Sequence, residues 1–278
     1  MANKALLVGI NEYGDGNGLR GCVADVTEMA SLLVDKGLFE RRDIRLLTDK
    51  RATTDKIYVH LDWLVDGSCA GDRLFFHFSG HGTIFPERDM VGRMASEECA
   101  ICPIDFDWTP EHAITTSRFR EIFRYLPEGV IFDWISDSCH SGDLARSINS
   151  LRVGEGYRKP RQMPMPADIA WRSATWAANR SNEPDSLRLA LPPHLNGAFM
   201  SGCEEDQTSA DAYIDGRYCG AFTSHLIHRL KVDGLSIPRT ELRRLVNADL
   251  DEAGYAQDPE LHGNPAVLQY GFQQGGAV

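Results

Sequence analysis

Short apolar runs and helix-spaced apolar positions alternate along almost the whole chain. Ala5–Ile10, Ile44–Leu47, Arg73–Phe78, Val130–Ile135 and Ala198–Ser201 read as strands, and Ala266–Tyr270 as a last one. Between them, Ala24–Val34 (ending at Gly37), Thr53–Val65 after a Thr-Thr-Asp start, Phe119–Tyr125, Ala221–Leu230 and Thr240–Leu250 carry the spacing of amphipathic helices. Strands separated by helical patterns predict an α/β fold, with a mostly parallel sheet and helices on both faces. Ligand sites in such sheets lie beyond the carboxyl ends of the strands.

Two strand ends carry chemistry. Leu74-Phe75-Phe76-His77-Phe78 runs into Ser79-Gly80-His81-Gly82, and Val130-Ile131-Phe132-Asp133-Trp134-Ile135 runs into Asp137-Ser138-Cys139-His140-Ser141-Gly142. If these strands are neighbours, an imidazole and a thiol share one rim, the nucleophile-plus-base arrangement of cysteine hydrolases. Gly82 and the Cys139 amide are then the natural backbone donors to an oxyanion. Asp137 shares the strand-end face of Cys139. His77, inside the aromatic strand, reads as a satisfied core residue, and His140 as structural.

These segments resemble the metacaspases and related prokaryotic caspase-like peptidases. Leu19–Val26, Ser201–Ala212, Gly220–Thr223 and Gln257–Leu261 agree, so the resemblance runs from Lys4 to about Leu261. It implies a single caspase-like domain over residues 1–278. It also implies a cysteine endopeptidase acting through a Cys139–His81 dyad and an acyl-enzyme. Family specificity-pocket residues carry over to Cys22, Asp25, Ser79 and Asp137, and two carboxylates in one pocket favour Arg or Lys before the cut. Asp211 is expected at the pocket rim. A catalytically weak regulatory or interaction module on the same fold is the alternative, and ligation on the same dyad would leave the same residues.

Many metacaspases carry an acidic loop after the Ser-Gly-His-Gly strand and an acid seven residues after the nucleophile, which together hold calcium. Here Arg146 stands at the latter position, and Thr83–Ser96 mixes Glu87 and Asp89 with Arg88 and Arg93. Glu97, Glu98, Asp105 and Asp107 are left as possible oxygen ligands or as a solvated edge. No cofactor is required, and calcium stays open.

Composition narrows the classes further. A net charge of −11 argues against a partner bound through nucleic-acid phosphates. No apolar run approaches a membrane span, and Ala5–Ile10 is too short for a signal peptide. Seven cysteines without framework spacing fit a reducing, cytoplasmic setting. The start of the chain at the first strand suggests that no prodomain precedes it. Cys99-Ala100-Ile101-Cys102 lacks a second pair at zinc spacing, and Arg146 is one residue too far from Cys139 for a phosphatase loop.

The stretch 144–195 differs from the rest. It contains Pro160, Pro164, Pro166, Pro184, Pro192 and Pro193, with eight Lys or Arg against four acids. It reads as a basic surface excursion, and for an enzyme cutting after basic residues it is a nearby substrate. A flap held down by Trp171 and Trp176 is the other reading.

Overall fold

Ala5 and Leu7 point to one face of a sheet and Leu6 and Val8 to the other, and all four are buried. Such two-sided burial is what a run without polar alternation predicts. The computed structural model describes residues 3–88, 94–139, 157–179, 195–204 and 207–273. Its main sheet comprises β1 (Asn3–Gly9), β2 (Ile44–Thr48), β3 (Arg73–Ser79), β7 (Ile131–Asp137), β9 (Asn196–Ser201) and β12 (Glu260–Gly263), in the order β12-β9-β7-β3-β1-β2. All pairings are parallel except that of the edge strand β12 with β9. The sheet is flanked by helices, the arrangement of a caspase-like domain.

On one face, α1 (Cys22–Asp35), α5 (Ala221–Val232) and α6 (Arg239–Glu252) bury Val26, Leu33, Leu226, Leu230, Leu242 and Val246 against Ala5, Leu7, Phe75 and Ile135. On the other, α2 (Thr54–Val65) and α3 (Thr116–Phe123) pack Ile57, Leu61, Phe119 and Phe123 against Leu74, Phe76, Phe132 and Trp134. Trp134 lies 4.3 Å from Phe119 and 5.3 Å from Phe76, ring centre to ring centre. Backbone pairing joins β3 and β7 along their full length, and these rings pack across one face of the pair.

Two small sheets were not foreseen. β4 (Gly82–Arg88) pairs with β5 (Met94–Ile101), and β5 with β6 (Ile114–Thr115). β10 (Ala210–Ile214) pairs with β11 (Arg217–Gly220) on one side and β8 (Arg158–Pro160) on the other. The excursion is thus not all loop, since it supplies β8 and α4 (Ala167–Asn179). Trp171 is 71% exposed, and the Trp176 side chain lies outside the described residues. Ala266–Tyr270 is not a strand. Asn264 caps the Ala266 amide and Pro265 opens a helical turn, α7 (Pro265–Leu268), so the last strand falls earlier, at β12.

Asp133, in the middle of β7, receives a two-pronged contact from Arg239, Nε to Oδ1 at 2.8 Å and Nη2 to Oδ2 at 3.0 Å. Arg239 Nη1 donates to the carbonyls of Val267, Tyr270 and Gly271, tying the C-terminal turn to the sheet.

His77 does sit in the core, fully buried in β3, but it is not satisfied. Neither ring nitrogen has a hydrogen-bond partner among the described residues. Burial pushes its pKa down to about 3. A depressed pKa means stability that is present above the ordinary value of 6.5 and lost as pH falls through the folded one. His81 acts in the same sense down to about 4. Asp25, raised to about 6, opposes both below that pH. His77→Leu is therefore expected to reduce the acid loss of urea stability by roughly 1.4 kcal/mol per pH unit below 6.5. Unchanged slopes in urea titrations from pH 7 to 4.5 would contradict this.

Candidate active site

The β3–β7 register has a constant offset, pairing Arg73 with Ile131 and Ser79 with Asp137. Carried two residues further, it sets His81 opposite Cys139. Both are buried, at 1% and 0% exposure. The His81 amide donates to the Tyr13 hydroxyl (3.0 Å), which itself donates to the Cys102 carbonyl (2.8 Å). His81 Nε2 lies 2.7 Å from the Asn17 carbonyl. A carbonyl only accepts, so Nε2 carries the proton and Nδ1 is the bare nitrogen. Burial lowers the His81 pKa to about 4, against an upward pull from the Asn17 carbonyl. The Arg161 carbonyl also favours the charged ring, without the alignment of a hydrogen bond to Nδ1. Cys139 Sγ receives the Ser209 amide at 2.6 Å and lies 3.3 Å from the Ser209 carbonyl.

Gly82 and Cys139 aim their amides at one oxygen. Both donate to the Arg161 carbonyl, at 3.0 and 3.1 Å. Arg161 belongs to the basic excursion, directly after β8. Its own amide donates to Ser209 (3.0 Å), and the Met163 amide donates to Gly82 (2.9 Å). The segment around it thus lies across the rim as an added strand.

The Arg161 side chain is fully buried beneath that rim. Nη2 lies 2.7 Å from Asp25 Oδ2 and 3.1 Å from Asp211 Oδ1, and Nη1 lies 3.1 Å from Asp137 Oδ2 and 2.7 Å from Ser79 Oγ. Cys22 adjoins this pocket, and burial raises its pKa well above the ordinary thiol value. All four residues expected to line a pocket are therefore brought together. Asp211, expected at the rim, is a fully buried third wall. Each carboxylate is held by other donors. Asp25 accepts from the Gly220 amide, Asp137 from the Thr223 amide and hydroxyl and from Ser209 Oγ, and Asp211 from the Arg20 and Gly21 amides. Burial, the strongest influence on Asp25, raises its pKa to about 6 despite the Arg161 charge. Gly220 is glycine because an added Cβ would meet Asp137 Oδ2 and the guanidinium, 2.6 Å from Nη1.

Residues 3–147 match the family described as metacaspase, peptidase C14 domain. The chain belongs to the metacaspase family. It is 31% identical to Metacaspase-9 of Arabidopsis thaliana over 93% of this chain and 92% of that protein. It is 30% identical to Metacaspase-1 of Scheffersomyces stipitis over 93% of this chain and 70% of that one. A crystal structure of a Geobacter sulfurreducens protein superimposes with a TM-score of 0.68 over 97% of each chain at 21% identity, a likeness of fold. Membership in this family supports cysteine-peptidase chemistry in general terms.

Three of the acids considered for calcium in this metacaspase have other duties. Glu98 accepts from Thr116 and Ser117 at the start of α3, Asp105 from Thr54 at the start of α2, and Asp107 from Thr109. Among the described residues, no three His, Cys, Asp or Glu side chains are grouped to hold a metal. Asp89, Arg93, His140 and Arg146 lie outside the described residues. No helix among the described residues is long and apolar enough to cross a membrane.

Sequence reasoning missed Arg161, Asn17 and Ser209. Asn17 acts through its carbonyl, as does Ser209 in part, which side-chain identity does not reveal. Arg161 is one base among eight in its segment. With Cys139 shielded beneath that segment, Arg161→Met should loosen the cover by leaving three carboxylates without their cation. Alkylation of Cys139 by iodoacetamide is expected to quicken at least tenfold. An unchanged rate would show that the segment is held by its backbone alone.

Proposed function

We propose that this metacaspase is an endopeptidase that cuts after Arg or Lys through Cys139 and His81, by way of an acyl-enzyme. One observation carries the reading. Arg161 occupies the rim as a substrate residue would, with its carbonyl on two amides and its guanidinium among three carboxylates.

On this reading, His81 Nδ1 takes the thiol proton and Cys139 sulfur attacks the carbonyl carbon. The Gly82 and Cys139 amides receive the developing oxyanion, each such donor contributing roughly 3–4 kcal/mol. His81 then gives its proton to the leaving amine, and a thioester remains. Water, relieved of a proton by the same ring, releases the acid. Asn17 keeps Nδ1 facing the reaction by holding the proton on Nε2. The substrate is a protein or peptide presenting a basic residue before the cut. A guanidinium reaches all three carboxylates and Ser79, whereas an ammonium is a single point charge, so Arg should be preferred over Lys. An aspartate in the pocket would meet three buried charges of its own sign.

Cys139→Ala and His81→Ala are expected to abolish cleavage of peptides while circular dichroism stays native. Peptides with Arg before the cut should outpace those with Lys, and those with Asp should stay whole. Wild-type turnover in Cys139→Ala would overturn the dyad, and preferential cleavage after Asp would overturn the pocket.

The chain's own Arg161–Gln162 bond is the nearest substrate. Intact-mass analysis after prolonged incubation should reveal a break there, absent in Cys139→Ala. One full-length mass in both samples, with peptides also left whole, would favour the regulatory-module reading.

A further inference from the structure

Two residues before Arg161, Lys159 reaches a second site. Its Nζ donates to the carbonyls of Gly16 (2.9 Å) and Gly18 (2.8 Å). The carbonyl between them, that of Asn17, is the one that receives His81 Nε2. Neighbouring carbonyls of a single turn thus face a substrate-position cation on one side and the catalytic ring on the other.

The turn has little else to hold it. Its feet are fixed, since Asn11 and Glu12 amides donate to Asp49 and the Leu19 amide donates to the Asn11 carbonyl. Within the tip, from Gly14 to Gly18, the described residues provide one internal bond, the Asn17 amide to the Gly14 carbonyl (3.0 Å). Asp15 and Gly16 have positive φ angles of 54° and 78°, and nothing packs where a Gly14 or Gly16 Cβ would stand. A tip of this composition has much backbone freedom to lose.

Resting on the endopeptidase reading, we propose that the Gly16–Gly18 carbonyls form a binding site for a lysine-like cation two residues before the cleaved one, and that its occupancy positions His81. A substrate carrying that cation orders the tip, fixes the Asn17 carbonyl and so holds the ring. A substrate lacking it still docks through the Arg161 position, but in a smaller fraction of complexes is the ring aligned. The cation therefore acts on kcat, because alignment matters after binding. Gly16, Asn17 and Gly18 are positioning residues.

The neighbouring position provides an internal comparison. Arg158 donates to the Gly254 carbonyl (2.7 Å), beyond the end of α6, and stacks 4.2 Å over Tyr255, and the described residues show no bond from it to the turn or to His81. A cation there adds affinity alone.

Two measurements test the coupling. In full-length Cys139→Ala, Lys159→Met should raise amide hydrogen exchange of residues 14–19 at least tenfold, while Arg158→Met leaves it unchanged. In peptides ending Arg-Lys-Pro-Arg before the cut, norleucine for Lys should lower kcat at least fivefold, and norleucine for the first Arg should raise KM with kcat held. Competition from the chain's own segment scales every apparent KM alike and leaves these ratios intact. Exchange indifferent to Lys159, or a Lys effect confined to KM, would overturn the proposal. If no peptide is cut, the endopeptidase reading fails, and the exchange comparison still decides the coupling.

Discussion

Three carboxylates cannot remain charged inside a protein unless a cation lies among them. Asp25 comes from α1, Asp137 from the end of β7 and Asp211 from β10, and Arg161 is where they meet. Backbone amides at Gly21, Gly220 and Thr223 moderate the repulsion, but cannot neutralise it. Burial raises the pKa of Asp25 most, and the neighbouring Asp137 charge adds to it. The pocket is therefore a standing demand for one basic side chain, and the three elements it joins are those that frame the rim above it. Attaching the cation to an extended segment puts a carbonyl over two amides and a peptide bond beside Cys139.

The sheet makes that pocket possible by burying both faces of β3 and β7, so that only their ends are free for chemistry. Their ladder keeps one register, and the same offset carried two residues on sets His81 opposite Cys139. The Arg239–Asp133 pair fixes β7 from below, far from the rim. Rigid packing beneath and a glycine-rich turn above divide the labour between holding and adjusting.

What could be read in the sequence follows the same division. The central strands announced themselves because runs such as Leu74–Phe78 are apolar on both faces, and the chemistry sat at their ends in side chains. Asp25, Asp137, Ser79 and Cys22 were legible through resemblance and meet around one guanidinium. The hairpin of β4 and β5 was not legible, because Glu87, Glu97 and Glu98 on a one-sided sheet look like a loop. Pro265 concealed a helical turn inside a strand-like run. Asp211 was underestimated because a polar segment such as Gln207–Asp211 gives no sign of how deeply it will be buried. Asn17 was beyond reach, since any residue supplies a carbonyl.

Pro160 sits in β8 opposite Ala210, whose amide is turned to Gln257 rather than to the segment. On either side, the Arg161 amide donates to the Ser209 carbonyl, and the Tyr157 carbonyl accepts from the Tyr213 amide. Proline fits where no N–H is needed. On the proposed function, the groove would read an incoming chain as a strand, through alternate backbone groups along a length comparable to residues 157–163. A helix or a tightly folded loop offers no such ladder. Any protein cut here must first let that length of chain come free, and each roughly 1.4 kcal/mol of local stability it retains lowers the available fraction tenfold. Cleavage would then measure how readily a target unravels as well as which residues it displays.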